Sequence, residues 1–435
     1  MSAAAEPIGA LLSRRWRDPA AWMATADIVA VLLAASLPWS TSLVGIFGVV
    51  LVLVMLPTID ASSLVASLKR PVVAAPVALF LLALIGTLWS DARWGMRFYA
   101  VAPTAKLLLL PLLFHHFARS QRAFWVFIAF LASCIALLAM SWIVAYFPNL
   151  TLKASNAASR GIFVKNYIDQ SQEFALCAVV LAYPVLSLLR ERRFVPAFLL
   201  FAIAMGFLAN MIFVIVSRTA LVTMPIMLAA FGLIHLRWRA NIIILAATVV
   251  LAGLAWVASS PLREKITSID SQYQLYEQGS VTSVGERLEF WKKSLGFFAE
   301  APIVGHGTGS TEGLFVQAAA GQKGVAAEVI RNPHNQTLNV AVQWGALGIV
   351  VLYAMWLSHL MMFRGPGLFN WIGLLVVVQN IFTSLFNSHI FDFHEGWMYV
   401  LGVGIAGGVV LRTSGTAAAR EAKASDAKAS DAKAS

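Results

Sequence analysis

Apolar runs long enough to cross a bilayer alternate with short polar breaks along almost the whole chain. The alternation predicts an all-α, polytopic integral membrane protein. A span needs about 20 apolar residues, and about twelve segments approach that length. They fall at 22–38, 41–58, 71–90, 99–117, 122–147, 169–189, 195–216, 218–236, 241–258, 335–363, 367–387 and 395–412. The breaks at Pro38-Trp39-Ser40 and at Ser217-Arg218 are the shortest, and moving either would change the side of every later loop. The expected organisation is a transmembrane bundle over 1–258, a loop domain over 259–333, and helices over 334–412 that complete the bundle. The tail, 413–435, repeats Ala-Lys-Ala-Ser-Asp without apolar periodicity and reads as a disordered cytoplasmic extension.

Composition sharpens this picture. Hydrophobic residues make up 59% of the chain and charged ones 12%, with a mean hydropathy of +0.77, whereas soluble domains carry roughly 25% charge. The net charge of +11 does not indicate nucleic acid, because the cations are scattered among short loops rather than gathered in a basic stripe with interleaved aromatics. Their distribution indicates topology. Lys69-Arg70, Arg119 with Arg122, Arg190 with Arg192-Arg193, Arg237 with Arg239, and Arg364 fall in alternate loops, which marks those loops and both termini as cytoplasmic. Arg14, Arg15 and Arg17 precede a first span that lacks a small-residue cleavage site, so it reads as uncleaved. Cys134 and Cys177 lie in apolar runs with no metal or redox spacing and read as small buried hydrophobes.

The outer loop 259–333 is too long for a simple connection and is expected to contain short helices. Ser283-Val284-Gly285-Glu286 has the form of a capping box. In the helix that should follow, Leu288, Trp291, Leu295 and Phe298 would make the apolar stripe, with Arg287 away from its centre.

Several cations remain on the side where topology should not retain them: Arg160, Lys165, Arg218 and Arg287. An anionic ligand would hold them there, and the chemistry that fits a membrane is a lipid diphosphate. Arg160 and Lys165 flank a Gly-containing segment able to offer backbone and charge to phosphate. Arg218 could instead snorkel to the interface, and Arg287 could lie on a solvated helix face. His334, within Asn332-Pro333-His334-Asn335-Gln336, shares this layer, and its neighbouring amides could fix its tautomer or bind hydroxyls. Arg93 and Arg97 beside Trp94 read as belt anchors, Lys106 as a snorkelling residue, and Arg263, Lys265, Lys292 and Lys293 as solvated.

No Asp-x-Asp occurs in the outer loops, although a metal-dependent sugar transferase usually clusters oxygen ligands. The segment from His389 to Glu395 could hold a metal, but caps and interfacial anchoring are the favoured reading, so no metal or other cofactor is expected.

His334-Asn335, nine residues, Gly345, two residues and Gly348, together with Ser217-Arg218-Thr219 and the large outer loop, resemble the bacterial O-antigen ligase family. Its wider superfamily includes O-antigen polymerases and protein O-oligosaccharyltransferases. The resemblance covers most of the chain. The oligosaccharyltransferase branch carries an added Glu near its histidine, and position 343 here is Gln, which favours the ligase branch. The resemblance implies transfer of a glycan from undecaprenyl diphosphate to lipid A–core on the periplasmic face of the inner membrane. His334 would be the general base, Arg218 and Arg287 would stabilise the leaving diphosphate, and Arg160, Lys165 and Asn335 would contact substrate. The reaction would invert the anomeric centre and need no metal. A secondary transporter or lipid flippase would have a similar span count. It would show repeated halves with broken or charged segments at mid-membrane, and this chain shows no such repeat.

Overall fold

The computed structural model describes residues 18–152, 161–278 and 280–434, with side chains described through residue 414. Arg160, Arg14, Arg15 and Arg17 lie outside the described residues. The described regular structure is helical throughout, as the apolar periodicity predicts. Ten helices are long and apolar enough to cross a membrane, or eleven if the pair Ala61–Ser67 and Pro71–Ile85, bent by 89°, counts as one span. The bend follows from Pro71, which disfavours helical geometry at the preceding Arg70. The remaining predicted segment forms Leu368–Thr383, a helix of 16 residues and therefore about 24 Å long, short for a full crossing. Each of the twelve apolar segments thus forms a helix. The last helix, Phe393–Ala434, continues its backbone past residue 412, where the sequence pattern ends the span and a tail without regular structure was expected.

Hydrogen bonds between loops sort the bundle into two ends. At one, Thr308 N–H donates to Gly86 O, Ser259 Oγ to Ile212 O, Gln336 N–H to Ser384 O, and the Lys165 ammonium to Leu37 O. At the other, Arg119 donates to Thr58 O, Arg412 to Ser120 O and Arg190 to His235 O. This grouping is the same alternation that the loop charges predict. The helix Phe393–Ala434 occupies the centre, where Gly402, Gly404, Gly407 and Gly408 let Val376, Leu113, Phe114 and Phe117 approach its backbone. The helix Trp238–Ala258 has no buried residue, consistent with an all-apolar surface facing lipid.

The helix Gln336–Met362 is broken at Gly345, which has φ 59° and ψ −154°. A loop over 302–309 fills the break. His306 and Gly307 N–H donate to Val342 and Gln343 O, while Ala346 and Leu347 N–H donate to Pro302 and Ile303 O. The four backbone groups released by the break are thereby satisfied, which is what permits it inside a bundle. A Cβ on Gly345 would lie 2.4 Å from the Ile303 carbonyl. The backbone that approaches Gly345 so closely belongs to this inserted loop.

Candidate functional site

The helix Ser283–Glu300 sets one wall of the site. Its N-cap is Thr282, whose hydroxyl accepts from Gly285 N–H, one residue before the expected Ser283. Its packed face carries Phe290, Ser294 and Phe297, whereas Leu288 and Leu295 are exposed. The expected stripe is therefore rotated, and Arg287, one turn before Phe290 and Trp291, lies on the inward side rather than away from it. Phe290, Phe297, Phe315 and Val342 form a small core of their own that fixes this loop helix to the transmembrane helix beginning at Gln336.

His334 stands directly against that wall. Its ring lies 6.3 Å from the Phe290 ring, and Trp291 Nε1 donates to Pro333 O at 3.1 Å. His334 has φ 53°, a left-handed conformation that costs about 1–3 kcal/mol and needs support from its surroundings. Its N–H donates to Asn332 Oδ1 at 3.0 Å. Asn335 caps the following helix through Leu338 N–H and donates to Leu385 O, so its amide is held at both ends. The partner of the histidine ring is Asn387, whose Oδ1 lies 2.8 Å from Nδ1. An amide oxygen only accepts, so Nδ1 carries the proton and Nε2 keeps its lone pair. The sequence motif offered Asn332, Asn335 and Gln336 for this task; Asn387 comes instead from the segment preceding the last helix. Burial pushes the His334 pKa below its ordinary value; the bond to Asn387 opposes this and the Arg287 charge adds to it.

Arg218 opens the helix Arg218–His235, where the macrodipole disfavours a cation. Its guanidinium donates to Ser268 Oγ at 2.9 Å, Lys265 O at 3.2 Å and Gln272 Oε1 at 3.5 Å, all neutral. Burial lowers the Arg287 pKa, with the neighbouring Arg218 charge adding to the effect and Tyr167 and Glu286 opposing it. Among the described residues, neither arginine forms an ion pair with a carboxylate within 4.0 Å. Lys265 extends the basic layer. It sits 5.0 Å over the Tyr167 ring, and burial together with the Arg218 charge lowers its pKa. The sequence had placed it in solvent. Thus His334, Arg287 and Arg218 form a continuous electrostatic group, joined by Lys265 and Tyr167.

Lys165 lies elsewhere. It is buried, with its ammonium 2.8 Å from Glu173 Oε1, which leaves it within an internal ion pair. Lys106 points inward as well, bonding to the main-chain oxygens of Phe391 and Asp392 rather than snorkelling. Arg97 bonds to Ala92 O and Thr87 O and stacks 4.4 Å over Trp94, as an interfacial anchor should. The segment expected to act as caps brings His389, Asp392 and Glu395 together, their ligand atoms within 4.8 Å of one another, so these three could hold a metal ion. His389 Nε2 is 3.9 Å from an oxygen of each carboxylate. Lys106 already contributes positive charge at this corner, and burial pushes Asp392 up to about 7.

Residues 203–353 match the family model described as O-antigen ligase. That segment, about a third of the chain, is similar to the O-antigen ligase family. A search of curated proteins finds no match. The O-antigen ligase match spans Arg218, Arg287, His334, Gly345 and Gly348, so it contains the group gathered above and the break that shapes its helix. The ten long apolar helices make the chain a multi-pass membrane protein, and the match supports an enzyme of the glycosyltransferase type to which such ligases and polymerases belong. Lys165, Asn335 and Asn387 divide differently: Asn335 falls inside the matched segment, the other two outside it.

Proposed function

We propose that the protein is an O-antigen ligase that transfers a glycan from undecaprenyl diphosphate to lipid A–core, with its active site on the periplasmic face of the bacterial inner membrane. The observation that carries this reading is a pair of half-buried arginines without carboxylate partners, adjoining a histidine whose Nε2 is kept as an acceptor.

Nε2 of His334 takes the proton of the acceptor hydroxyl. The hydroxyl oxygen bonds to the anomeric carbon from the face opposite the diphosphate, and the bond from that carbon to the diphosphate oxygen breaks, inverting the centre. Its electron pair stays on the diphosphate, where Arg218 and Arg287 stabilise the developing charge and Lys265 adds a third cation. The glycan arrives activated on its lipid, so no nucleotide takes part, and the arginines meet the leaving group's charge without a metal. Lys165 has an internal role in this reading. Arg160, proposed from sequence as a phosphate contact, keeps that assignment. A polymerase or a protein O-oligosaccharyltransferase would use the same donor chemistry and differ in acceptor.

The test is transfer by the purified protein in detergent with a chelator present, from the lipid-diphosphate glycan to lipid A–core, beside His334→Ala. Product from the wild type alone supports the proposal. No product from the wild type, with a known ligase active in parallel, overturns it and directs attention to another acceptor or to transport.

A further inference from the structure

A cavity of about 150 Å³ adjoins the Asn332–His334 loop. Its walls include Tyr99, Thr311, Arg331, Asn332, Asn339 and Asp392, and they include neither arginine of the diphosphate group nor His334 itself. Two of the lining residues, Thr311 and Asp392, each carry a buried oxygen, Oγ1 and Oδ2 respectively, without a hydrogen-bond partner, the latter 3.9 Å from His389 Nε2. Such orphans are costly in a folded protein unless a ligand or water completes them. Asn332 accepts from His334 N–H and from Ser388 Oγ through the same oxygen, which leaves its amide donors uncommitted.

The lining selects a chemical class. Asp392 and Glu312 place carboxylates in the wall, and Arg331 is already neutralised by Glu312 at 3.1 and 3.2 Å, so an anion such as phosphate gains little there. An acyl chain would leave the orphaned atoms unsatisfied. At the rim the Tyr99 ring is 59% exposed, with the Arg331 guanidinium 5.4 Å from its centre. A flat aromatic face beside mixed donors and acceptors suits a neutral, polyhydroxylated ring. Asn332 ties the cavity wall to the backbone of the proposed base, two residues away.

We propose that this cavity is the acceptor subsite, binding a sugar ring of the acceptor through its hydroxyls on Thr311, Asp392 and Asn332 and presenting a further hydroxyl to His334. The proposal rests on the glycosyl-transfer reading above and adds the place of the second substrate. The probe is the lipid-free core oligosaccharide, titrated into the full-length protein in detergent and followed by calorimetry or saturation-transfer NMR. Wild type should bind saturably, Asp392→Asn and Thr311→Val should each weaken binding roughly 10-fold, and Thr311→Ser should restore it. In turnover, both weakened variants should raise KM for the acceptor by a similar factor and leave KM for the lipid-diphosphate donor unchanged. Thermal unfolding of each variant separates lost binding from lost folding. Wild-type affinity in folded Asp392→Asn and Thr311→Val would overturn the subsite, as would transfer by a wild type that shows no oligosaccharide binding. Oligosaccharide binding that depends on Thr311 and Asp392 without any glycan transfer would keep the sugar site and overturn the transfer reading instead.

Discussion

Replacing Asn387 with alanine removes the acceptor that holds the proton on Nδ1 of His334. The bond is 2.8 Å long and joins a part-buried pair, so the substitution leaves a shielded ring N–H without a partner. An unsatisfied polar group of this kind costs about 1–3 kcal/mol, and the neutral ring can then place its proton on Nε2, where it cannot act as base. If that cost falls on the transition state, the plateau rate of transfer drops roughly 5- to 150-fold. The pH profile adds a sign. His334 must be neutral to accept a proton, and burial holds its pKa below the ordinary histidine value, so the acidic limb of the wild type lies on the acid side of an ordinary histidine's. The bond to Asn387 raises that pKa, so Asn387→Ala should move the limb to lower pH while the plateau falls. Asn387→Asp places an anion at Nδ1, stabilises the imidazolium and moves the limb to higher pH. Initial transfer rates from pH 5 to 8.5 at saturating donor and acceptor measure both effects. An Asn387→Ala plateau equal to wild type, or limbs that coincide in the two variants, would refute the positioning role while leaving the arginine assignments intact.

Arg218→Ala and Arg287→Ala should each lower the rate by about 10²–10³-fold if they meet the leaving group, with little change in thermal stability, since neither breaks a carboxylate pair. Near-wild-type rates in detergent would assign them to structure. Lys165→Met leaves Glu173, which is fully buried, without its counter-charge, a loss of about 3–5 kcal/mol visible as a lowered unfolding temperature. The double variant Lys165→Met/Glu173→Gln should recover part of it; a Lys165→Met protein that melts normally yet transfers no glycan would restore Lys165 to the substrate. Gly345→Ala should destabilise by at least about 1–3 kcal/mol from backbone strain alone, because φ is 59° and Ile303 occupies the space a Cβ needs. Gly253→Ala, on the lipid-facing helix with nothing within 4 Å, is the matched control and should melt no lower than wild type.

The parts of this molecule legible in its sequence are those governed by local rules. Hydrophobic run length locates a helix at each predicted span, and the loop cations group the helix ends as the bundle does, because both signals act over a few neighbouring residues. The sequence singles out Arg218, Arg287 and His334, which the fold brings near one another, for a related reason: each is a charge or a titratable group where topology supplies no cause for it. Their partners are a different matter. Asn387 is 53 residues from His334, and nothing in its immediate neighbours distinguishes it from any polar residue at a helix entrance. Lys165 resembles a phosphate ligand until Glu173, two turns into the next helix, is seen to face it. Lys106 resembles a snorkelling residue until the segment before the last helix folds inward to meet it. The Arg287 error has the same origin. Leu288 and Leu295 are as apolar as Phe290 and Phe297, so composition cannot say which face turns inward when lipid and protein are both apolar surroundings. What periodicity loses in a membrane is the contrast between core and solvent, and the charges regain it. Arg287 lies inward in the neighbourhood of Arg218, Tyr167 and His334, at the head of a helix that Gly345 allows to break, and those charges mark a face that apolarity alone leaves unmarked.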